Sequence, residues 1–187
     1  PIEPRTGDPG RTKNEAAGKA RGSLLHFLDP KDQWEPQFLT RVLPELEKFD
    51  FGMSLTRSVS EDSDLLRNLI SRNIVVPSSI LIRRHLFDAI GGFPAGYGGL
   101  PFPNKPPGID EYELALKATL ELIHQDKKNR ISLLKNSLLN DPPPALDNQG
   151  AKGIREFIST TYLLRRLAPH YWPYVGKKFV NLLPTEK

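Results

Sequence analysis

A short apolar segment that opens directly into acidic side chains constrains the fold of this chain most. Residues 23–28, Ser-Leu-Leu-His-Phe-Leu, have the length and bulk of a buried strand. Asp29 and Asp32 follow at once, within the run Asp-Pro-Lys-Asp-Gln-Trp. Ligands of open α/β sheets bind where strands end at their carboxyl edge. The segment therefore predicts a ligand site beside these two carboxylates.

Helical and strand patterns alternate along most of the chain, which predicts an α/β fold. A helix rich in small residues ends at Gly22, just before the first strand, and Gly is the expected helix stop. A proline at position 44 is expected to kink or end a later helix. Hydrophobic spacing predicts helices at 12–21, 35–48, 83–90, 109–124 and 125–139, a short helix or lid at 62–71, and strands at 51–57 and 75–82.

The chain is expected to form one domain with two appendages. Its 187 residues, 38% of them apolar, can bury one sizeable core. We predict a flexible segment over residues 1–11, the α/β domain over 12–125 and a helical C-terminal extension over 126–187. A proline-rich hinge divides that extension, whose aromatic and basic end suits either packing on the domain or a peripheral contact with an anionic membrane.

Composition excludes several classes of function. The net charge of +4 is mild and spread along the chain, which argues against a nucleic-acid partner. The lack of cysteine removes disulfides and thiolate zinc sites, and no signal peptide or membrane-spanning run is evident, so a cytoplasmic location is expected. Neither a Walker loop nor a Gly-x-Ser-x-Gly elbow occurs, which disfavours P-loop and esterase chemistry.

Four motifs in order resemble those of family 2 glycosyltransferases. Lys13-Asn14 with the helix that follows, and then LDPKDQW, are similar to the family's Arg-Asn pair and its LDxDDxW strand end. Downstream, NIVVPSSILIRRHLFDAIGGF resembles the family's strand, arginine pair and GGF turn, and IDEYELALKA resembles its EDYxLxLR helix. The resemblance spans about residues 12–120 and depends on order and spacing, since no one motif in it is highly specific.

The resemblance implies a partial glycosyltransferase-A fold, a mixed sheet flanked by helices with a helical tail. It also implies inverting transfer of a sugar from a nucleotide-sugar donor to a hydroxyl of a glycan or lipid-linked acceptor. The family's N-terminal nucleotide-binding half has no counterpart here, so we expect a C-terminal portion whose activity on its own is open. The alternative is a noncatalytic carbohydrate-binding, nucleotide-binding or interaction module derived from that fold.

By position in the helix motif, Glu111 matches the family's general base and Asp110 matches the acid before it. In the family, this base takes the proton from the acceptor hydroxyl as that oxygen attacks the anomeric carbon. Glutamate here is one methylene longer than the aspartate of the motif. Acids in the first turn of a helix also stabilise its dipole, and this remains the structural alternative for both residues.

The diphosphate side departs from the family pattern at Lys31, which stands where the family has the aspartate that binds Mn²⁺ or Mg²⁺. An ammonium cannot ligate a metal, because it has donors and no lone pair. Either Lys31 neutralises the diphosphate in a metal-independent enzyme, or catalysis has been lost. Asp29 and Asp32 remain candidate metal or donor ligands, with capping of the next helix as the alternative for Asp32.

The other candidate residues lie on both sides of this predicted site. Basic and amide side chains suited to the donor's phosphates are Lys13, Asn14, Arg83 and Arg84. The Pro- and Gly-rich segment 93–108 predicts a long irregular loop, either an acceptor-side wall or a mobile surface loop. Its side chains available for stacking or hydrogen bonding to a sugar are Tyr97, Phe102 and Asn104.

Overall fold

The computed structural model describes residues 8–30, 32–45, 47–54, 65–66, 69, 75–94 and 108–134. The predicted roles of Lys31, Tyr97, Phe102 and Asn104 lie outside these residues, and so does the proposed extension beyond residue 134. Among the described helices, none combines the length and apolar character needed to cross a bilayer.

Four short strands form one mixed sheet in the order β1-β3-β2-β4. Strand β3 runs antiparallel to both β1 and β2, whereas β4 runs parallel to β2. The predicted α/β class with a mixed sheet is therefore confirmed. The strands are β1 (Leu24–His26), β2 (Phe51–Met53), β3 (Leu81–Arg83) and β4 (Ile131–Leu133).

Two helices depart from their predicted bounds: the helix predicted over 12–21 begins at Pro9, so residues 9–11 are helical rather than part of a flexible segment, and the helix predicted over 35–48 begins at Phe38 and ends at Val42. Helix α1 (Pro9–Lys19) begins at Asp8, whose Oδ1 accepts a hydrogen bond from the Gly10 N–H at 3.1 Å. Helix α2 (Phe38–Val42) gives way to a 3-10 turn (Leu43–Glu45), so the early end expected at the proline is confirmed. Helix α3 (Arg84–Ala89) is followed by α4 (Ile109–His124), whose predicted bounds are confirmed.

The sheet separates two apolar clusters. Neighbouring residues of a strand point to opposite faces, and accordingly Ile82 lies in the larger cluster and Leu81 in the smaller one. The larger cluster packs α4 against the sheet, and its fully buried members include Tyr112, Phe51 and Phe93. Burying a side chain of this size contributes about 1.5–3 kcal/mol. This packing fixes where the first turn of α4 lies.

The helix predicted over 125–139 is wrong at residues 128–133, which form a 3-10 turn and then β4. Backbone pairing with β2 overrides the helical spacing: the Asp50 N–H donates to the Arg130 carbonyl at 2.8 Å, and the Leu134 N–H donates to the Met53 carbonyl at 2.8 Å. The sheet thus continues past residue 125, where the sequence pattern placed the end of the domain.

The strand predicted over 75–82 is displaced along the chain. Residues Pro77–Ser79 form a 3-10 turn, and the strand starts at Leu81 and includes Arg83. Proline has no N–H to give to a sheet and its fixed φ suits the start of a turn, which explains the shift.

Candidate functional site

A side chain in the first half of α1 reaches the first turn of α4. The Lys13 ammonium forms an ion pair with Oε1 of Glu111, although 98 positions separate the two residues in sequence. The Glu111 side chain is 9% exposed and that of Lys13 is 29% exposed. Asp110 is buried beside Glu111. The structure therefore brings together a predicted donor-side cation and the predicted base.

A pair of hydrogen bonds fixes the chain next to this ion pair. Nδ2 of Asn14 donates to the Phe93 carbonyl, and Oδ1 of Asn14 accepts from the Phe93 N–H, each at 2.9 Å. The Lys13 ammonium lies 5.0 Å from the centre of the Phe93 ring, within cation–π range. Both polar atoms of the Asn14 amide therefore hold the backbone that leads into the Pro- and Gly-rich segment.

Arg84 closes the other end of α1. Its guanidinium donates three hydrogen bonds to backbone carbonyls, to Ala17 at 3.0 Å, Ala20 at 2.8 Å and Gly22 at 3.0 Å. Cations stabilise the C-terminal end of a helix by satisfying its last carbonyls and its dipole. Arg84, which the sequence placed at the phosphates, anchors α1 in this structure.

Arg83 belongs to a different cluster, which sequence reasoning missed. Asp50 is 6% exposed and accepts two hydrogen bonds from the Arg130 guanidinium, at 3.1 and 2.8 Å. His85 Nε2 lies 3.7 Å from the same carboxylate. The hydrogen bonds from Arg130 hold the pKa of Asp50 below its ordinary value, and the charges of His85 and Arg83 add to the effect.

The sequence positions of Asp50 and Arg130 indicate this cluster once β4 is recognised as a strand. Asp50 directly precedes β2 and Arg130 directly precedes β4. Residues at the same end of paired parallel strands are neighbours. Because residues 125–139 were predicted to be helical, the pairing of β4 with β2 was not predicted.

The acidic strand end is held by the 3-10 turn that precedes β3. The Asp29 N–H donates to the Ser78 hydroxyl at 2.9 Å, and the Asp32 N–H donates to the Asp29 carbonyl at 2.9 Å. Asp29 is exposed and Asp32 is partly buried. Helix α2 is preceded by Gln37 as its N-cap residue, so Asp32 does not cap it.

His26 sits just inside this edge as a packed, neutral side chain. Its Nε2 donates to the Ser78 carbonyl at 2.8 Å, and its ring meets Trp34 edge-on with centroids 4.2 Å apart. Burial lowers the pKa of His26 to about 4. The sequence interpretation of His26 as a packed strand residue agrees with this environment.

The carboxylates at the strand end do not by themselves form a metal centre. Among the described residues, no group of three or more His, Asp or Glu side chains is arranged to hold a metal ion. Divalent Mg²⁺ and Ca²⁺ take six or more oxygen ligands, from protein, water or substrate. The described carboxylates alone therefore do not complete such a coordination shell.

An open cavity of about 470 Å³ lies elsewhere, along the outer side of α4. Its lining combines apolar and charged side chains and includes none of the predicted site residues: Ile90, Lys117, Leu120, Glu121, Ile123 and His124.

Comparison with known proteins adds no relative: no protein-family model, no curated protein and no solved structure matches this chain. The functional argument therefore depends on the residues and contacts described above.

Proposed function

We propose that the chain carries the base-bearing side of a sugar-transfer site that takes a nucleotide-sugar donor and an acceptor hydroxyl. The observation that carries the proposal is the contact between Lys13 and Glu111. These residues belong to the first and last of the four motifs that resemble family 2 glycosyltransferases. Their contact supports the interpretation that the motifs serve one site.

The proposed reaction has one base and one leaving group. Glu111 accepts the proton of the acceptor hydroxyl while that oxygen forms a bond to the anomeric carbon. The bond between that carbon and the diphosphate oxygen breaks, and its electron pair leaves with the nucleoside diphosphate. Attack opposite the leaving group inverts the anomeric carbon.

Cationic side chains stabilise the charge that develops on the diphosphate in this proposal. Lys13 lies at the site, and Lys31 stands in sequence between the acids of the strand end. A fixed positive charge near a leaving group lowers the barrier because it is placed before the reaction starts. No step is assigned to a metal ion, although the proposed binding of Mn²⁺ or Mg²⁺ by Asp29 and Asp32 can be tested directly.

The test measures release of nucleoside diphosphate from a panel of UDP-sugars and GDP-sugars, with and without Mn²⁺. Glu111→Gln removes the base while keeping the side-chain shape. Glu121→Gln, a partly buried glutamate on the same helix, is the matched control. Release that disappears in Glu111→Gln and persists in Glu121→Gln supports the proposal. Equal release in both variants removes Glu111 from the role of base.

A noncatalytic binding module is the second candidate, and one observation favours it. The Lys13 ammonium occupies an oxygen of the carboxylate that would have to accept a proton. A module of this kind binds nucleotide or carbohydrate saturably in calorimetry and releases no nucleoside diphosphate from any donor.

For both candidate functions we propose a cytoplasmic location, with the aromatic and basic C-terminal residues as a peripheral membrane contact.

A further inference from the structure

We propose that Lys13 exchanges between Glu111 and the diphosphate of a bound donor, so that the anion that fills the site also uncovers the base. The inference rests on the proposed function, because it assigns a regulatory step to the same two residues. It starts from the ion pair itself: the ammonium contacts Oε1 of Glu111, one of the two carboxylate oxygens that could receive the proton.

The two partners differ in freedom of movement. Glu111 is fixed in the first turn of α4, within the buried part of that helix. Lys13 is about three times more exposed, at 29% against 9% of the side chain. A lysine carries its charge on a flexible four-carbon stem and lacks the planar fork with which arginine grips a carboxylate. Lys13 is therefore the partner that moves.

The ring of Phe93 helps to keep the ammonium near the site during such an exchange. The Nζ atom lies 5.0 Å from the ring centre, and the ring itself packs against the rings of Phe27 and Phe87. An aromatic face attracts a cation without using any of its hydrogen-bond donors. The donors of Lys13 can then turn from a carboxylate to a phosphate while the stem stays in place.

A diphosphate is a strong competitor for this cation. It carries more negative charge than one carboxylate and presents several acceptor oxygens, and charge-assisted hydrogen bonds to phosphate are among the stronger ones in proteins. Among the described residues, Lys13 is the cation in contact with Glu111. Transfer of Lys13 to the diphosphate thus leaves the Glu111 oxygen open to the acceptor hydroxyl.

Competition of this kind is reciprocal by thermodynamic necessity. If Glu111 holds Lys13 back from an anion, removing the charge of Glu111 must strengthen anion binding. Couplings between sites are typically about 5- to 150-fold in affinity. An increase in affinity on removing a negative charge is also expected from simple electrostatics, so the test must separate the local contact from the general charge effect.

The experiment is a calorimetric titration of inorganic pyrophosphate into the wild-type chain, Glu111→Gln, Lys13→Met and the double variant. Glu45 and Lys48 supply the controls, because they form an exposed ion pair and Glu45→Gln and Lys48→Met change the net charge equally. Folding of every variant is checked by circular dichroism. The double variant leaves no unpaired charge from this pair, so it remains informative if Lys13→Met is unstable.

The proposal expects Glu111→Gln to bind pyrophosphate about tenfold more tightly than the wild type, within the usual range of coupling. It expects Lys13→Met to bind more weakly, the double variant to show no gain over Lys13→Met, and Glu45→Gln to resemble the wild type. Unchanged affinity in Glu111→Gln overturns the proposal. An equal gain in the Lys13→Met background also overturns it, because the gain would then not pass through Lys13.

The outcome is distinguishable from failure of the proposed function, since pyrophosphate carries neither sugar nor base. If the four variants show the expected pyrophosphate affinities but no donor releases nucleoside diphosphate, the exchange operates in a protein that does not transfer sugar. If release of nucleoside diphosphate depends on Glu111 but the expected pattern of pyrophosphate affinities is missing, transfer occurs and the exchange does not.

Discussion

The side-chain amide of Asn14 pairs with both backbone polar groups of Phe93, with two hydrogen bonds of 2.9 Å. This arrangement imitates one rung of a β-ladder and ties α1 to the chain that follows α3. Lys13 is the neighbour of Asn14, so the ion pair with Glu111 depends on where this pairing holds α1. The first predictions concern this connection.

Replacing Asn14 with Ala is expected to destabilise the fold. The change leaves the partly buried N–H and carbonyl of Phe93 without their partners, which costs about 1–3 kcal/mol. Asn14→Asp keeps the acceptor and loses the donor, so its stability should lie between those of the wild type and Asn14→Ala. Urea unfolding measures the difference. A midpoint for Asn14→Ala equal to that of the wild type would show that the pairing contributes nothing.

Gly92 and Gly91 form a matched pair for testing how closely Asn14 and Phe87 approach the backbone at Gly92. Both have positive φ, of 63° and 75°, so alanine is strained at either position by about 1–2 kcal/mol. A Cβ at Gly92 would lie 2.6 Å from Asn14 Oδ1 and 2.9 Å from the nearest atom of the Phe87 ring, whereas a Cβ at Gly91 meets nothing within 4 Å. Thermal unfolding should show a clearly larger loss for Gly92→Ala than for Gly91→Ala. Equal losses would mean that backbone strain accounts for both.

The burial of His26 predicts that the free energy of unfolding depends on pH between about pH 6.5 and pH 4. Burial lowers its pKa to about 4 in the folded chain, from an ordinary value of 6.5. In that window the unfolded chain binds a proton that the folded chain does not, so the free energy of unfolding falls as the pH is lowered, by up to about 1.4 kcal/mol per pH unit. Urea unfolding of His26→Gln from pH 7 to 4 should show a flatter profile. The control His124→Gln alters an exposed histidine and should keep the wild-type slope. An unchanged slope in His26→Gln would exclude His26 as its source.

The pairing of Asp50 with Arg130 is expected to make the free energy of unfolding fall at still lower pH. Its pKa is held below the ordinary 3.8 by the hydrogen bonds from Arg130. A depressed pKa gives stability that is present above the unfolded value and is lost as the pH falls through the folded value. Asp50→Asn should therefore be less stable than the wild type at pH 7, with the gap shrinking below about pH 4. A gap of the same size at pH 7 and pH 3 would contradict this account.

The Arg130 partner can be tested in the same way. Arg130→Met leaves a buried carboxylate without its guanidinium, and we expect a loss of about 1–3 kcal/mol, because Arg130 itself is partly exposed. Arg41→Met breaks an exposed ion pair with Glu35 and should cost less than about 1 kcal/mol.

The long helix could be predicted because its signals are local, whereas the mixed sheet was expected only from the family resemblance. The apolar stripe of α4 and the acids of its first turn set its bounds, and Pro44 marked the end of α2. Strand β4 could not be recognised in this way. It is only three residues long, and so short an apolar segment does not indicate a strand until its partner strand is known.

In the candidate site, too, the residue types could be identified from the sequence but their contacts could not. The sequence identified Lys13 and Glu111 as residues of interest, but it could not show that they touch, because that contact joins elements separated by 98 positions. It also could not show that Arg84 and Asn14 are engaged with the backbone. Residue type indicates what a side chain can bind, whereas tertiary packing decides which partner it has.

Calorimetric titration of UDP, GDP and their sugar conjugates into this chain, with and without Mn²⁺, tests the central claim most directly. The account predicts that at least one nucleoside diphosphate binds saturably, and that Lys13→Met weakens this binding about tenfold, the worth of one charge-assisted hydrogen bond. Lys48→Met, the exposed control, should leave it unchanged. Absence of binding by every nucleotide at millimolar concentration, or equal binding by wild type and Lys13→Met, would contradict the account.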